Sequence, residues 1–502
     1  MTYLLAIAIG PVQEFIAAAR RTADLYAGSQ LLLEVTRVIA KTLEGHGAKL
    51  IFPSHSSQSG ANKILAEVTG DPAALVKAVK LAARDYLRLE WHKALASFSH
   101  PKAVSEARAA AQVEGFLEIY AAWVVLGDYK ESRQRVERLL AGRKALRDFA
   151  PAALDDAGIP KSPLDASRAS VIGDPRALVA ATVQHKPLRI RANEDLDAIS
   201  LLKRIYGARA SERVIDTRTM ARRALDKTAV PSDREEDDDS TTEAQPYYAI
   251  LHADGDKMSA LIETKSSAEQ HRRFSSVLSS FAAGVDAIVK QHNGFKIYSG
   301  GDDVLAFLPV DTAIACAREL ASDFAQKLLE ASLSVGVAIV HYREPLSISL
   351  EYAKTAEKAA KNKSDPNKNN HGNRLAVALH TRGGAPMTVI EAWRADHGLL
   401  ELEKLLEAYN AGLVSRGVPY ELKQLAREWL PELPAGALQA EALRIIKRKQ
   451  ATKSAANKPE NTDWLELPAS PAEDSKAAIK ALETFANQLV LARFLSGLES
   501  EA

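Results

Sequence analysis

Cysteine is almost missing from this chain of 502 residues: Cys316 stands alone. No internal disulfide can form and no cysteine-built zinc site is possible, which fits a reducing compartment and sets the expectation of a cytoplasmic protein. None of the 12 histidines is followed directly by an aspartate, so the His-Asp dyad of metal-dependent phosphohydrolases is absent. Charge of one sign is not in excess either, with 65 Lys and Arg against 64 Asp and Glu. The overall field therefore offers polyanions no general attraction, and nucleotide or nucleic-acid contacts must come from local clusters or metal ions. Long hydrophobic runs are missing too. The opening apolar run over 3–9 has no basic leader and enters Gly10-Pro11, so it predicts a strand and neither a signal peptide nor a membrane span. Aromatic residues make up 6%, and Trp91, Trp123 and Trp464 are too dispersed for a stacking platform. What remains, 46% apolar and 26% charged, is the composition of an ordinary globular chain long enough for several cores.

Periodicity predicts a strand over 3–9, a helix over 12–43, strands over 49–52 and 63–68, a helix over 72–97 and a strand within 116–126. This is the split ferredoxin-like order. The same order recurs downstream, with strands over 247–253, 295–299, 304–309 and 333–340 and helices over 268–292 and 312–330. Two copies of one α+β unit predict a pseudo-dimer of palm (nucleotide cyclase-like) domains, with helical domains beside them. The expected divisions are a first palm over 1–128, a helical domain over 129–231, an acidic linker over 232–245, a second palm over 246–384 and a helical domain over 385–502. The linker is a run of like charge without an apolar face. From about residue 387 onward the pattern reads as helical, apart from a proline-containing loop over 453–472.

The strongest chemical signal is Gly300-Gly301-Asp302-Asp303 between two apolar strands. Glycine there permits a tight hairpin and close approach of a phosphate, and adjacent carboxylates repel one another unless a cation neutralises them. A solvated Asp-rich turn is the plain alternative. The second signal is Asp254-Gly255-Asp256 at a strand end. Asp254 and Asp256, with Asp302 and Asp303, form a candidate set of ligands for two Mg²⁺ or Mn²⁺ ions, the arrangement by which palm polymerases and cyclases clamp attacking and leaving oxygens. Asp256 can equally be a helix N-cap. Third, a helix over 351–361 ends in Lys361, which either reaches a triphosphate or merely compensates the helix dipole. Basic residues cluster at Arg133, Arg135, Arg138, Arg143, Lys144 and Arg147 and again at Arg444, Lys447, Arg448 and Lys449; phosphate contact and plain solvation of a helix surface both explain them.

With these residues in view, the sequence resembles the large, palm-domain subunit of type III CRISPR effector complexes, on the Cmr (III-B) branch. The resemblance rests on Ile9-Gly-Pro-Val-Gln-Glu-Phe-Ile16, Ala19-Arg-Arg-Thr-Ala-Asp-Leu-Tyr-Ala-Gly-Ser29, Gln112-Val-Glu-Gly-Phe116, Arg143-Lys-Ala-Leu-Arg-Asp-Phe149, Lys161-Ser-Pro-Leu-Asp165 and Leu202-Lys-Arg204, followed by the two acidic motifs. It implies an RNA-guided antiviral complex with other subunits, guide RNA and target RNA as partners, and ATP as substrate for cyclic oligoadenylate. Asp254, Asp302 and Asp303 would be catalytic, while Gly255, Gly300, Gly301, Ser29 and Lys361 would contact nucleotide. Gly28-Ser29 can instead simply separate two helices. Many relatives carry an N-terminal HD nuclease and a cysteine zinc insert, and the sequence given shows neither pattern, so a polymerising activity without DNase activity is expected. Two other readings stay open: a related palm activity with a different AMP-containing product, and a non-catalytic scaffold subunit. The first palm, with Ile9-Gly10 where the second has Asp254-Gly255 and no acidic residue over 52–63, is expected to support and not to catalyse.

Overall fold

Alternating apolar residues in the first segment build a four-stranded antiparallel sheet in the order β2-β3-β1-β4. The computed structural model describes residues 1–57, 62–146, 158–210, 213–231, 246–361, 371–396, 398, 400–448 and 474–497. The elements of this first unit are β1 (Thr2–Gly10), α1 (Gln13–Ala17), α2 (Thr22–Gly45), β2 (Lys49–Phe52), β3 (Lys63–Thr69), α3 (Pro72–Ser97), α4 (Glu106–Glu114) and β4 (Glu118–Val125). Helix α3 starts where the Asp71 side chain accepts from the Ala73 N–H and Pro72 presets the first turn. Its stripe of Leu75, Val79, Leu87 and Trp91 is buried against the sheet face carrying Leu5, Ile7 and Ile9. Each such side chain contributes about 1.5–3 kcal/mol on burial. The other sheet face, with Leu4, Ala6 and Leu65, is covered by Val136 and Leu140 of α5 (Tyr129–Ala145).

The segment after α5 departs from the helical expectation. Among the described residues it contains the short ribbon β5 (Thr182–Val183) and β6 (Lys186–Pro187), irregular chain, a 3-10 turn over Pro175–Leu178 and two α-helices, α6 (Ala198–Arg209) and α7 (Thr217–Arg222). Pro160, Pro163, Pro175 and Pro187 explain the interruption, since proline removes a backbone donor and disfavours helix before it. The acidic run over 232–245 lies outside the described residues, as do the loop over 453–472, Lys449 and Trp464.

The second unit repeats the topology. It comprises β7 (Tyr247–Gly255), α8 (Met258–Glu263), α9 (Ala268–Gln291), β8 (Phe295–Ser299), β9 (Val304–Leu308), α10 (Ala313–Lys327), β10 (Leu333–His341), α11 (Leu346–Lys361), β11 (Arg374–His380) and β12 (Met387–Ala392). The sheet order is β12-β11-β10-β7-β9-β8, so its last four strands match the first sheet one for one. β12 corrects the helical reading from residue 387: it pairs antiparallel with β11 in the register Val377↔Val389. Six residues at a sheet edge, with only Val389 buried, give too short an alternation to separate strand from helix. Helices α12 (Glu401–Asn410), α13 (Val418–Glu428), α14 (Ala435–Arg448) and α15 (Ser475–Ser496) complete the chain, with Leu402, Leu422, Leu438 and Leu489 in the same core as β7 and β10. Among the described residues no helix is long and apolar enough to cross a membrane.

The two units meet reciprocally, each laying a helix on the other's sheet. Helix α2 of the first lies on β8 of the second, where the Tyr26 and Phe295 rings stand 5.4 Å apart, and α9 of the second lies on β2 of the first, where Arg272 Nε donates to the Leu50 carbonyl at 2.8 Å.

Candidate functional site

The turn between β8 and β9 is closed by the Gly300 N–H donating to the Asp303 carbonyl at 2.8 Å, with Gly301 at φ +92°. Only glycine adopts that conformation without strain, and it brings Asp302 and Asp303 to the end of β7. There a Cβ on Gly255 would stand 2.8 Å from the Asp302 Cβ and 2.9 Å from its Oδ2, so a bare backbone is what lets strand and hairpin touch. Asp254 precedes it. The Lys361 ammonium, at the end of α11, pairs with the Asp254 carboxylate and lies 3.4 Å from the Gly255 carbonyl and 3.4 Å from Glu357 Oε1. Asp303 accepts from the Tyr298 hydroxyl at 3.1 Å and stands 3.6 Å from His252 Nε2.

Burial raises the Asp302 carboxyl above the usual range. Burial, and then the charge of Asp302, push Asp303 up to about 7, against the opposing hydrogen bond from Tyr298. His252 is held down to about 4 by burial and then by Lys354 and Lys361. The site thus concentrates negative charge on hard oxygen donors, which is what a divalent cation neutralises. Among the described residues no three His, Cys, Asp or Glu side chains gather into a cage of their own. That partial donor set fits Mg²⁺, which takes its remaining ligands from water and phosphate oxygens.

The hairpin opens onto a cavity of about 440 Å³ between the two units, lined by Gly300, Asp302, Asp303 and Tyr298 on one side and by Ile9, Gln13, Ser29 and Lys63 on the other, while Asp254, Gly255 and Lys361 lie outside its lining. Three expectations change on contact with the geometry. Asp256 is engaged elsewhere: it is buried, accepts from the Ser334 and Ser332 hydroxyls at 2.7 and 2.8 Å and from the Asn373 N–H at 2.8 Å, and so fastens the chain beyond α11 to β10. Nor does it cap a helix, because α8 follows Lys257 without a side-chain cap. Ser29 does line the cavity, but it sits inside a continuous α2, and its hydroxyl faces the Tyr26 and Ile297 carbonyls at 2.8 Å each. It separates no helices, and its proton already ties α2 to β8. Arg133, assigned to a helix surface, is 1% exposed, because α5 turns that face onto the sheet. Conversely, His252, Tyr298, Lys354 and Gln13 line the cavity without having been singled out, and Lys354 Nζ donates to Gln13 Oε1 at 3.2 Å across the two units. Only His252, adjoining the Asp254 motif, carried a signal that sequence reading could have used.

Both sheets have counterparts among known proteins. Residues 4–132 match the family described as CRISPR-associated protein Cmr2, N-terminal, and residues 247–371 match Cas10/Cmr2, second palm domain. CRISPR system Cmr subunit Cmr2 of Pyrococcus furiosus is 31% identical over 212 residues, which cover 36% of this chain and 24% of that protein. The match therefore spans about a quarter of that relative's length. In structure, the chain is similar to type III-B Cmr-beta in its apo state, with a TM-score of 0.66, 13% identity and coverage of 99% of this chain and 82% of the other. A Csm1-Csm4 cassette solved in complex with cA4 is similar with a TM-score of 0.55 and 13% identity, over 97% of this chain and 70% of the other. The order β2-β3-β1-β4 repeated in the second sheet, the glycine-hinged acidic hairpin and two Cmr2-type family matches at the corresponding places converge, and the chain belongs to the Cas10/Cmr2 family of CRISPR-associated palm-domain proteins.

Proposed function

We propose that the second palm is an ATP-using nucleotidyltransferase that makes cyclic oligoadenylate within an RNA-guided complex containing guide RNA, target RNA and other subunits. The observation that carries the reading is the close approach of Gly255 to Asp302, which sets the Asp254 strand end beside the acidic hairpin that lines an inter-palm cavity. A related fold captured with cA4 supports the product class. In the reaction, the 3′-hydroxyl oxygen of one ATP bonds to the α-phosphorus of another, the bond from that phosphorus to the bridging oxygen breaks, pyrophosphate leaves and the hydroxyl proton passes to solvent. Repetition and a final intramolecular attack close the ring. Asp254, Asp302 and Asp303 would hold two Mg²⁺ or Mn²⁺ ions, which when bound supply charge neutralisation at the α-phosphate.

The chain's own groups orient the substrates. Gly300 and Gly301 let phosphates approach the backbone, and Lys361 moves from Asp254 to the triphosphate as cations arrive. Lys354 and Gln13 hold the two walls at working distance, and no protein nucleophile takes part. The first palm, over 1–128, completes the cavity without catalysing.

The test is mass spectrometry of products from ATP with Mg²⁺ or Mn²⁺, with and without the assembled complex and target RNA. Changing Asp302→Ala together with Asp303→Ala should abolish product while complex assembly persists. Undiminished turnover in that variant would overturn the assignment, and product-free wild type that still assembles would favour the scaffold reading.

A further inference from the structure

Beside the cleft lies a larger void that the reaction leaves without a use. It measures about 610 Å³ and lies between α2 and α9, with Leu33 and Arg37 on one wall, Ser276 and Ser280 on the other, and Gln30 and Lys296 toward the cleft. Gln30, Leu33 and Lys296 also line the 440 Å³ cavity, so the two spaces adjoin through a shared partition. The void exists because α9 presents small side chains at helical spacing there, Ser276, Ser279, Ser280 and Ala283, where larger ones would close the gap to α2. Its polarity is specific. Arg37 Nη1 pairs with Glu34 at 2.5 Å, yet its Nε is buried with no partner. A single carboxylate, Asp286, lies between Lys290 at 2.8 Å and Lys296 at 3.7 Å. Cationic groups thus exceed acidic ones in the pairs around the void, and serine hydroxyls add further polar surface beside the apolar Leu33, Ala282 and Ala283.

We propose that this chamber holds the 5′ part of a linear oligonucleotide while its 3′ end is extended in the adjoining cleft. The proposal rests on the nucleotidyl-transfer reading above. A cleft of about 440 Å³ that takes both the reacting 3′ end and an incoming ATP leaves no room for the finished part of a growing chain, which has to be stored beside it. Arg37 and Lys296 suit its phosphates, and the serine hydroxyls and the Gln30 amide suit ribose and base edges. The chamber thereby favours longer products over released dinucleotide.

Two measurements on the full chain test this. Product lengths are resolved by mass spectrometry, and binding is followed with a labelled linear triadenylate bearing a 5′-triphosphate and a 3′-deoxy end. Arg37→Ala and Ser280→Trp should leave dinucleotide formation and binding of an ATP analogue near wild type. They should lower the share of products of three or more nucleotides, and weaken the triadenylate, by about tenfold, the effect of one lost charge-assisted contact. Unchanged product lengths and triadenylate binding in Arg37→Ala, which keeps the helix packing that tryptophan could disturb, overturn the proposal. If wild-type protein makes no dinucleotide, the reaction itself has been misread; triadenylate binding that still depends on Arg37 then upholds the chamber, and binding indifferent to Arg37 removes it.

Discussion

Asp254 and Asp256 stand two positions apart and do opposite work. Asp254 pairs with Lys361 and is partly exposed, so Asp254→Asn should cost little stability while removing product. Asp256 is 6% exposed and accepts three hydrogen bonds, two from serine hydroxyls and one from a backbone N–H. Replacing it by alanine leaves those donors unpaired in the interior, at a cost of about 2–4 kcal/mol. Urea unfolding of the two variants should therefore separate them, with a lowered midpoint for Asp256→Ala and a near wild-type midpoint for Asp254→Asn. Equal destabilisation would contradict the division. The motif was legible in the sequence because it sets two carboxylates on either side of a glycine at a strand end; which carboxylate serves the site was not. That choice depends on Ser332, Ser334 and Asn373, residues far along the chain that periodicity gives no reason to connect with it.

At the scale of elements, the wall of the cleft made by α1 and the turn into α2 is held from outside itself. Lys203 on α6 is 1% exposed; its ammonium donates to the Phe15 carbonyl at 2.8 Å and to the Ala18 carbonyl, and sits 4.7 Å from the Phe15 ring centre. Arg204 beside it binds Asp24 at 2.8 Å and Glu194 at 2.9 Å. The Phe15 ring in turn lies 4.7 Å from Phe116. Continuous helical periodicity over 12–43 hides the break at residues 18–21, because the donors that satisfy it come from α6. Lys203→Met should raise the KM for ATP severalfold more than it lowers kcat, since it loosens a wall and removes no reacting group; a fall in kcat alone would refute a positioning role. Across the units, the Tyr129 hydroxyl and His271 Nδ1 are 2.7 Å apart, joining α5 to α9. Burial first, then Arg133, Lys63 and Lys265, hold His271 at about 4, against the opposing charge of Glu137. Its folded value lies below the unfolded one near 6.5, so the unfolded chain takes up the proton first. The contribution is complete above pH 6.5 and fades as pH falls toward 4, by up to about 3 kcal/mol. Urea midpoints at pH 7.5 and 5 should reveal this loss, and His271→Gln should flatten the difference between them.

The whole molecule is two copies of one sheet that trade helices across a pseudo-dyad. Ser29 of α2 reaches the Ile297 carbonyl of β8 as Arg272 of α9 reaches the Leu50 carbonyl of β2. The repeat was visible as two strand-helix-strand series of like order, because sheet faces impose alternation. Its mutual embrace was not, since contacts between distant segments leave no period. Symmetry also sharpens the contrast between the halves. In the second sheet Asp254 pairs in register with Ser334, and Ala253 faces the helical core; in the first, Ile9 faces that core and Gly10 pairs with Glu118. Counted by packing face, Gly10 and not Ile9 occupies the place of Asp254. Either way β1 ends without a carboxylate, and Glu118 across from Gly10, at the start of β4, is solvent-exposed and accepts a hydrogen bond from the Tyr120 hydroxyl at 3.0 Å. A lone, exposed carboxylate of that kind has no neighbouring carboxylate whose charge a cation would offset, so nothing there favours a cation. Crystals of the full chain with Mn²⁺ and a non-hydrolysable ATP analogue should accordingly show anomalous density at Asp254 and Asp302. Density of similar strength beside Glu118 would mean that both palms bind metal and that the division into a catalytic and a supporting half is wrong.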